Sequence, residues 1–145
     1  MGGSQERVVA RKLEQIEQYH GELVAKRTAL SRTDYLESTT EQRAVERMFE
    51  NAVQACADLA RHVASRALEY EDDSAKGAVR VLGRADVLDE ETTETLVTAI
   101  GFRNVLAHEY AAIDDGRVYA HLQDIEQFRR FATEIEQFLN EQESE

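Results

Sequence analysis

Proline is absent from all 145 residues of this chain, and no other single feature narrows its fold so far. Proline breaks helix interiors, because it lacks the N–H and clashes with the preceding turn. Glycine, the other common helix breaker, occurs only seven times, while Ala, Leu, Glu, Arg and Gln, all good helix formers, dominate the rest. The expectation is an all-α protein. A chain of this length buries one ordinary core, so residues 1–145 read as a single domain, frayed at 1–4 and at the Glu-rich stretch 141–145.

Apolar spacing divides the chain further. Residues 5–30 place Val9, Leu13, Ile16, Leu23 and Leu30 at helical intervals. A short turn or helix over 31–37 leads to Ser38-Thr-Thr-Glu41, which has capping-box spacing, and a long helix carrying Phe49, Val53, Cys56 and Leu59 continues to about Leu68. After an acidic loop, Ser74 or Asp73 is placed to cap a short helix with Val79, Val81 and Leu82, which Gly83 ends or bends. Asp89 is placed to cap the next helix, expected over about 91–112, and Asp114-Asp-Gly116 is expected to turn the chain. A last helix, about 119–140, carries Leu122, Ile125, Phe128, Ala132, Ile135 and Leu139 as one stripe. The architecture that fits is an antiparallel bundle of four main helices with short extras.

The net charge is −12, and the basic complement is almost all arginine, with lysine only at Lys12, Lys26 and Lys76. Such a surface repels long nucleic acid at low salt unless a local basic patch overcomes the average. It also suits a protein kept hydrated in concentrated salt, where repulsion is screened within a few ångströms. No apolar run approaches the roughly 20 residues of a membrane span, and the N-terminus has no stretch of signal-peptide type, so a cytoplasmic protein with no membrane association is expected. The lone Cys56 sits in an apolar pattern and is expected to be buried as a small hydrophobe. His20 and His121 share no metal-ligand spacing with each other or with Cys56, and neither a metal nor a cofactor is expected.

The segment Gly101-Phe-Arg-Asn-Val-Leu-Ala-His-Glu-Tyr110 departs from bundle building. On a helix advancing about 100° per residue, with Arg103 at zero, Tyr110 falls near about −20°, Asn104 near about 100° and His108 near about 140°. Leu96, Ile100 and Val97 share that arc, while Phe102, Val105, Leu106 and Ile113 cover the other side. A helix apolar on both sides in so small a chain points to burial of one face against a second subunit, with the polar quartet bordering the interface.

Four such groups can cleave RNA without a metal. A histidine imidazole can take the proton of a ribose 2′-hydroxyl or give one to the departing 5′-oxygen. An arginine can fork onto phosphate oxygens and stabilise the added charge of the transition state, and an asparagine can orient the phosphate or fix the histidine tautomer. Two copies across a two-fold axis offer two histidines to one phosphate, and the expected product is a 2′,3′-cyclic phosphate.

The same decapeptide resembles the signature of the HEPN superfamily, R-x-x-x-x-H with a polar residue after the Arg, and more narrowly that of the HepT toxins, R-x-x-x-x-H-x-Y. Arg103, Asn104, His108 and Tyr110 match every position. Gln42-Arg-Ala-Val-Glu-Arg47 leading into Ala55-Cys-Ala-Asp-Leu-Ala60, and Val81-Leu-Gly-Arg-Ala-Asp-Val-Leu88, look like the corresponding family helices, so the likeness covers about residues 40–139. The resemblance implies a homodimeric toxin ribonuclease, acting on messenger or transfer RNA, with Arg103, Asn104 and His108 catalytic. It further implies a minimal nucleotidyltransferase antitoxin that transfers AMP from ATP to Tyr110. A tyrosine nearly eclipsed with Arg103 on the helix would place AMP phosphates beside the guanidinium.

Blander readings stand beside these. Taken alone, His108 is a surface or structural histidine, Arg103 a salt-bridge residue and Tyr110 an interface or core aromatic. His62 reads as structural, and Arg43, Arg47 and Arg61 as intrahelical ion-pair partners before they read as RNA contacts. The alternative function is a catalytically silent HEPN binding module for a nucleotidyltransferase or nucleotide.

Overall fold

Short polar side chains start five of the helices in the computed structural model, which describes residues 2–71 and 74–144. In chain order these residues form α1 (Gly2–Ala29), α2 (Arg32–Glu37), α3 (Thr39–Leu68), α4 (Ala75–Arg84), α5 (Glu90–His108), a 3-10 turn (Tyr110–Ala112), α6 (Asp115–Leu122) and α7 (Glu126–Ser144), with no strand among them. Helix is thus present over residues 2–4 and 141–144, where the sequence leads one to expect fraying.

Ser31 begins α2 with a reciprocal capping box, accepting from the Asp34 amide at 3.0 Å while Asp34 accepts from the Ser31 amide at 3.2 Å. Ser38 accepts from the Glu41 amide at 3.2 Å, but the reciprocal half expected there is missing. The Glu41 carboxylate instead takes Lys26 Nζ at 2.9 Å and ties α3 to α1. Ser74 caps α4 through the Gly77 amide at 3.1 Å; its rival for that role, Asp73, lies outside the described residues. Gly83 lies inside α4 because the helix meets α5 there: a Cβ at this position would come within 2.5 Å of Thr93 Oγ1.

The four long helices, α1, α3, α5 and α7, carry the bundle. α1 and α3 run antiparallel, pinned by Lys12–Asp58 at 3.1 Å and Lys26–Glu41 at 2.9 Å. Ile16, Leu23, Phe49, Leu59, Leu82, Leu96, Phe128 and Phe131 are all 2% exposed or less and belong to one continuous core. Each such side chain contributes roughly 1.5–3 kcal/mol by leaving water. No helix among the described residues is long and apolar enough to cross a membrane.

The C-terminal third differs from expectation in three places. Helix α5 stops at His108 rather than continuing to about 112; the Glu109 amide closes it by donating a hydrogen bond to the Val105 carbonyl at 2.9 Å, and its φ of −130° and ψ of 58° leave the helical region. Asp114-Asp-Gly116 does more than turn the chain, since it also starts a helix. The Asp114 carboxylate accepts from the amides of Gly116 at 3.0 Å and Arg117 at 3.3 Å, so it opens α6. The helix expected over 119–140 is two helices, broken at residues 123–125, where the Gln123 and Asp124 amides bond to Ala120 and His121 carbonyls at 3.1 and 3.0 Å. Leu122, Ile125 and Phe128 are each 0% exposed, so the stripe survives the break. Its two parts serve different neighbours. The ring of Tyr119 on α6 meets that of Tyr35 on α2 at 5.8 Å, whereas α7 packs along α1 and α3.

Candidate active site

Helix α5 carries the motif, and contacts at its start and along its length hold it in place. At its start the Asp89 carboxylate accepts from the Thr92 amide at 2.7 Å, and Glu90 and Glu91 occupy the first turn, where negative charge suits the helix dipole. Glu134 of α7 then takes the Asp89 amide and the Thr92 hydroxyl, each at 2.6 Å, while Arg130 pairs with Glu91 at 3.0 Å. Further along, Phe102 meets Phe49 of α3 edge-on, with ring centroids 5.9 Å apart, and Leu96, Ile100 and Leu106 are buried.

Arg103, Asn104 and His108 come at the end of this anchored helix. Arg103 is half-buried, and its Nη1 donates to Asn104 Oδ1 at 3.0 Å. Asn104 and His108 are exposed, one turn apart on one face. Neither Arg103 nor His108 has a carboxylate partner among the described residues, so the cation is left available to a ligand. That face is not wholly polar: Val97 and Val105 are half-buried beside Asn104 and His108, while Leu96, Ile100 and Leu106 turn into the core. Val105, assigned by the wheel to the far side, thus stays partly open.

Tyr110 is where the helical wheel fails. Because α5 ends at His108, Tyr110 begins the 3-10 turn, and its expected near-eclipse with Arg103 on one helix does not occur. It remains a near neighbour of His108 by connectivity, since two peptide units separate their Cα atoms by at most about 7.6 Å.

Two of the three arginines of α3 fall as the blander reading has it, whereas Arg47 is exposed and makes no ion pair among the described residues. Arg43 donates to Glu46 at 2.7 Å and Arg61 to Asp58 at 2.7 Å, each an intrahelical pair. Burial nonetheless pushes the Glu46 carboxyl up, against the pull of Arg43. His62 is half-buried at a cavity of about 440 Å³ with Val9, Leu13, Arg66 and Leu139, formed by α1, α3 and α7 without α5. Burial, reinforced by Arg66, lowers its pKa. Cys56 is 0% exposed, and burial pushes its thiol up. His121 is a residue that sequence reasoning considered only as a metal ligand. Its ring lies on Phe102 with centroids 4.4 Å apart, directly before Arg103, and burial lowers its pKa. Only the break between α6 and α7 brings it there, and the sequence carries no signal for that.

Comparison with known proteins decides the family. The model of the Ribonuclease HepT-like family matches residues 9–135. This chain belongs to the HepT-like ribonucleases. A tRNA nuclease HepT of Aphanizomenon flos-aquae (strain 2012/KM1/D3) is 28% identical over 111 residues, 76% of each chain. Among solved structures, the fold is similar to a mutant of the toxin–antitoxin MntA–HpeT, with a TM-score of 0.80, 18% identity and coverage of 89% of this chain and 98% of that one. It is similar also to the tri-AMPylated Shewanella oneidensis HEPN toxin in complex with MNT antitoxin, with a TM-score of 0.69, 19% identity and coverage of 92% and 94%. The HepT-like family expected from the motif and the all-α bundle expected from composition and apolar spacing are both found.

Proposed function

We propose that this HepT-like ribonuclease is the toxin of a toxin–antitoxin pair, a homodimeric endoribonuclease that uses Arg103, Asn104 and His108 and is silenced by AMPylation of Tyr110. The observation that carries the reading is an arginine held by its neighbouring asparagine at 3.0 Å, one turn before an exposed histidine, with no carboxylate on the arginine or the histidine among the described residues. In the reaction a base removes the 2′-hydroxyl proton as its oxygen attacks the adjacent phosphorus. The bond to the 5′-oxygen breaks, that oxygen takes a proton, and the products are a 2′,3′-cyclic phosphate and a 5′-hydroxyl. His108 from each subunit supplies base and acid, and Arg103 stabilises the charge gathering on the phosphate oxygens. The half-exposed Val97 and Val105 beside the polar residues favour a subunit interface on this face.

The relative described as a tRNA nuclease makes transfer RNA the first substrate to assay. The AMPylated toxin bound to its antitoxin supports a nucleotidyltransferase partner here, with Tyr110 as acceptor. An adenylate there adds negative charge and a bulky base within reach of His108.

Protein freed of modification is expected to cut RNA in EDTA and leave cyclic ends, with His108→Ala slower by about 10²–10⁴. Cleavage by His108→Ala at the wild-type rate overturns the assignment. Tyr110→Phe is expected to keep cleaving while escaping neutralisation. Intact mass spectrometry after co-expression with the nucleotidyltransferase is the check, and AMP adducts that persist in Tyr110→Phe refute the acceptor.

A further inference from the structure

Of the three lysines in the chain, two are committed to carboxylates: Lys12 to Asp58 at 3.1 Å and Lys26 to Glu41 at 2.9 Å. Lys76, in the first turn of α4, has no ion pair or hydrogen bond among the described residues. Its half-buried side chain reaches onto α5, where Nζ lies 3.3 Å and Cε 3.8 Å from the point a Cβ on Gly101 would occupy. Any larger residue at 101 would compete with the ammonium for that space.

The place is significant because of helical register. Gly101 and His108 are seven residues apart, about 700° of rotation, so they share an azimuth to within about 20°; Asn104 is about 60° away. The ammonium therefore lies on the same face of α5 as Asn104 and His108, about 10 Å along the axis from His108 at about 1.5 Å per residue. In a chain of net charge −12, a cation on this face without a carboxylate partner among the described residues is a local exception to the repulsion of nucleic acid.

We propose that Lys76 is a phosphate-binding residue of the RNA-cleaving site, holding a phosphate of the same strand neighbouring the one on which Arg103 and His108 act. This rests on the reading of that site given above. The axial offset puts Lys76 too far along α5 to share the scissile phosphate with His108 and suits a neighbouring one. Lysine, a compact point charge with three donors on a flexible stem, grips a backbone phosphate without choosing a base. Lys76 thus fixes strand register across the site and lends it affinity.

The test compares wild type with Lys76→Met, which keeps a stem over Gly101 but no charge, and Lys76→Arg, which restores charge. The substrates are an RNA oligonucleotide and a dinucleoside monophosphate, which has no neighbouring phosphate. For the oligonucleotide, Lys76→Met is expected to raise KM about fivefold or more with kcat unchanged, and Lys76→Arg to recover most of the loss. For the dinucleoside monophosphate, neither variant changes KM. Binding of a 2′-O-methyl oligonucleotide, which cannot be cut, should lose about 0.7 from its slope of log affinity against log salt in Lys76→Met. Equal effects on both substrates, or an unchanged salt slope, overturn the proposal. A wild type that binds the 2′-O-methyl oligonucleotide yet cuts no RNA overturns the catalytic reading instead, and the salt slope still decides the role of Lys76.

Discussion

Glu134 is the residue on which the seating of α5 depends most, and its removal can be worked through from the structure. Its carboxylate takes two hydrogen bonds of 2.6 Å, from the Asp89 amide and the Thr92 hydroxyl. Thr92 is 0% exposed, so Glu134→Ala strands a buried hydroxyl. A stranded buried donor costs about 1–3 kcal/mol, and the lost amide bond, replaceable by water at the exposed Asp89, adds about 0.5–1 kcal/mol. A loss of about 1.5–4 kcal/mol lowers Tm by roughly 3–16 °C, at about 2–4 °C per kcal/mol for a chain of this size. Thr92→Val removes the hydroxyl while keeping its shape, so once that change is made Glu134→Ala should cost less. Urea unfolding at fixed protein concentration, run as a double-mutant cycle, should give a coupling of about 1–2 kcal/mol between the two sites. Additivity within about 0.5 kcal/mol would refute the argument that the carboxylate acts by satisfying Thr92. Cleavage well below Tm should be unchanged, since Arg103 lies eleven residues further along α5, about 16 Å away.

Leu106, 1% exposed and two residues before His108, should cost about 2–5 kcal/mol as Leu106→Ala and less than about 1.5 kcal/mol as Leu106→Met, read by chemical denaturation. Loss of cleavage should follow the first substitution and not the second. Cys56, fully buried with its thiol pushed up, should resist alkylation in the native protein and react at the unfolding rate or on denaturation; rapid labelling without denaturant would contradict its placement. Burial lowers the folded-state pKa of His20, His62 and His121, so below about 6.5 the unfolded chain binds protons that the native protein does not. Stability should therefore be full above that pH and fall as pH drops through the folded values, and His121→Gln should make the fall shallower in urea midpoints measured from pH 8 downward.

Much of this molecule is local information, and local information is what a sequence displays. The absence of proline, the apolar intervals and the caps at Ser38, Ser74 and Asp89 each act within one helical turn, so the helical class, the four long helices and most starting points were legible. So was the placing of Asn104 and His108 on one exposed face, because residues four apart on a helix are neighbours in space whatever the helix packs against. What the sequence could not show depends on competition between neighbours. The stripe from Leu122 to Leu139 satisfies one straight helix as well as two, and only the need of α6 to meet Tyr35 on α2 while α7 lies along α1 breaks it. The same break lays His121 on Phe102, and the end of α5 at His108 moves Tyr110 off the wheel that would set it beside Arg103. Lys76 and Gly101 are 25 positions apart in the sequence, and no pattern joins them. Only the packing of α4 on α5 puts the Lys76 ammonium on the face that carries the histidine, because that face is shared by helices and belongs to no one segment of the chain.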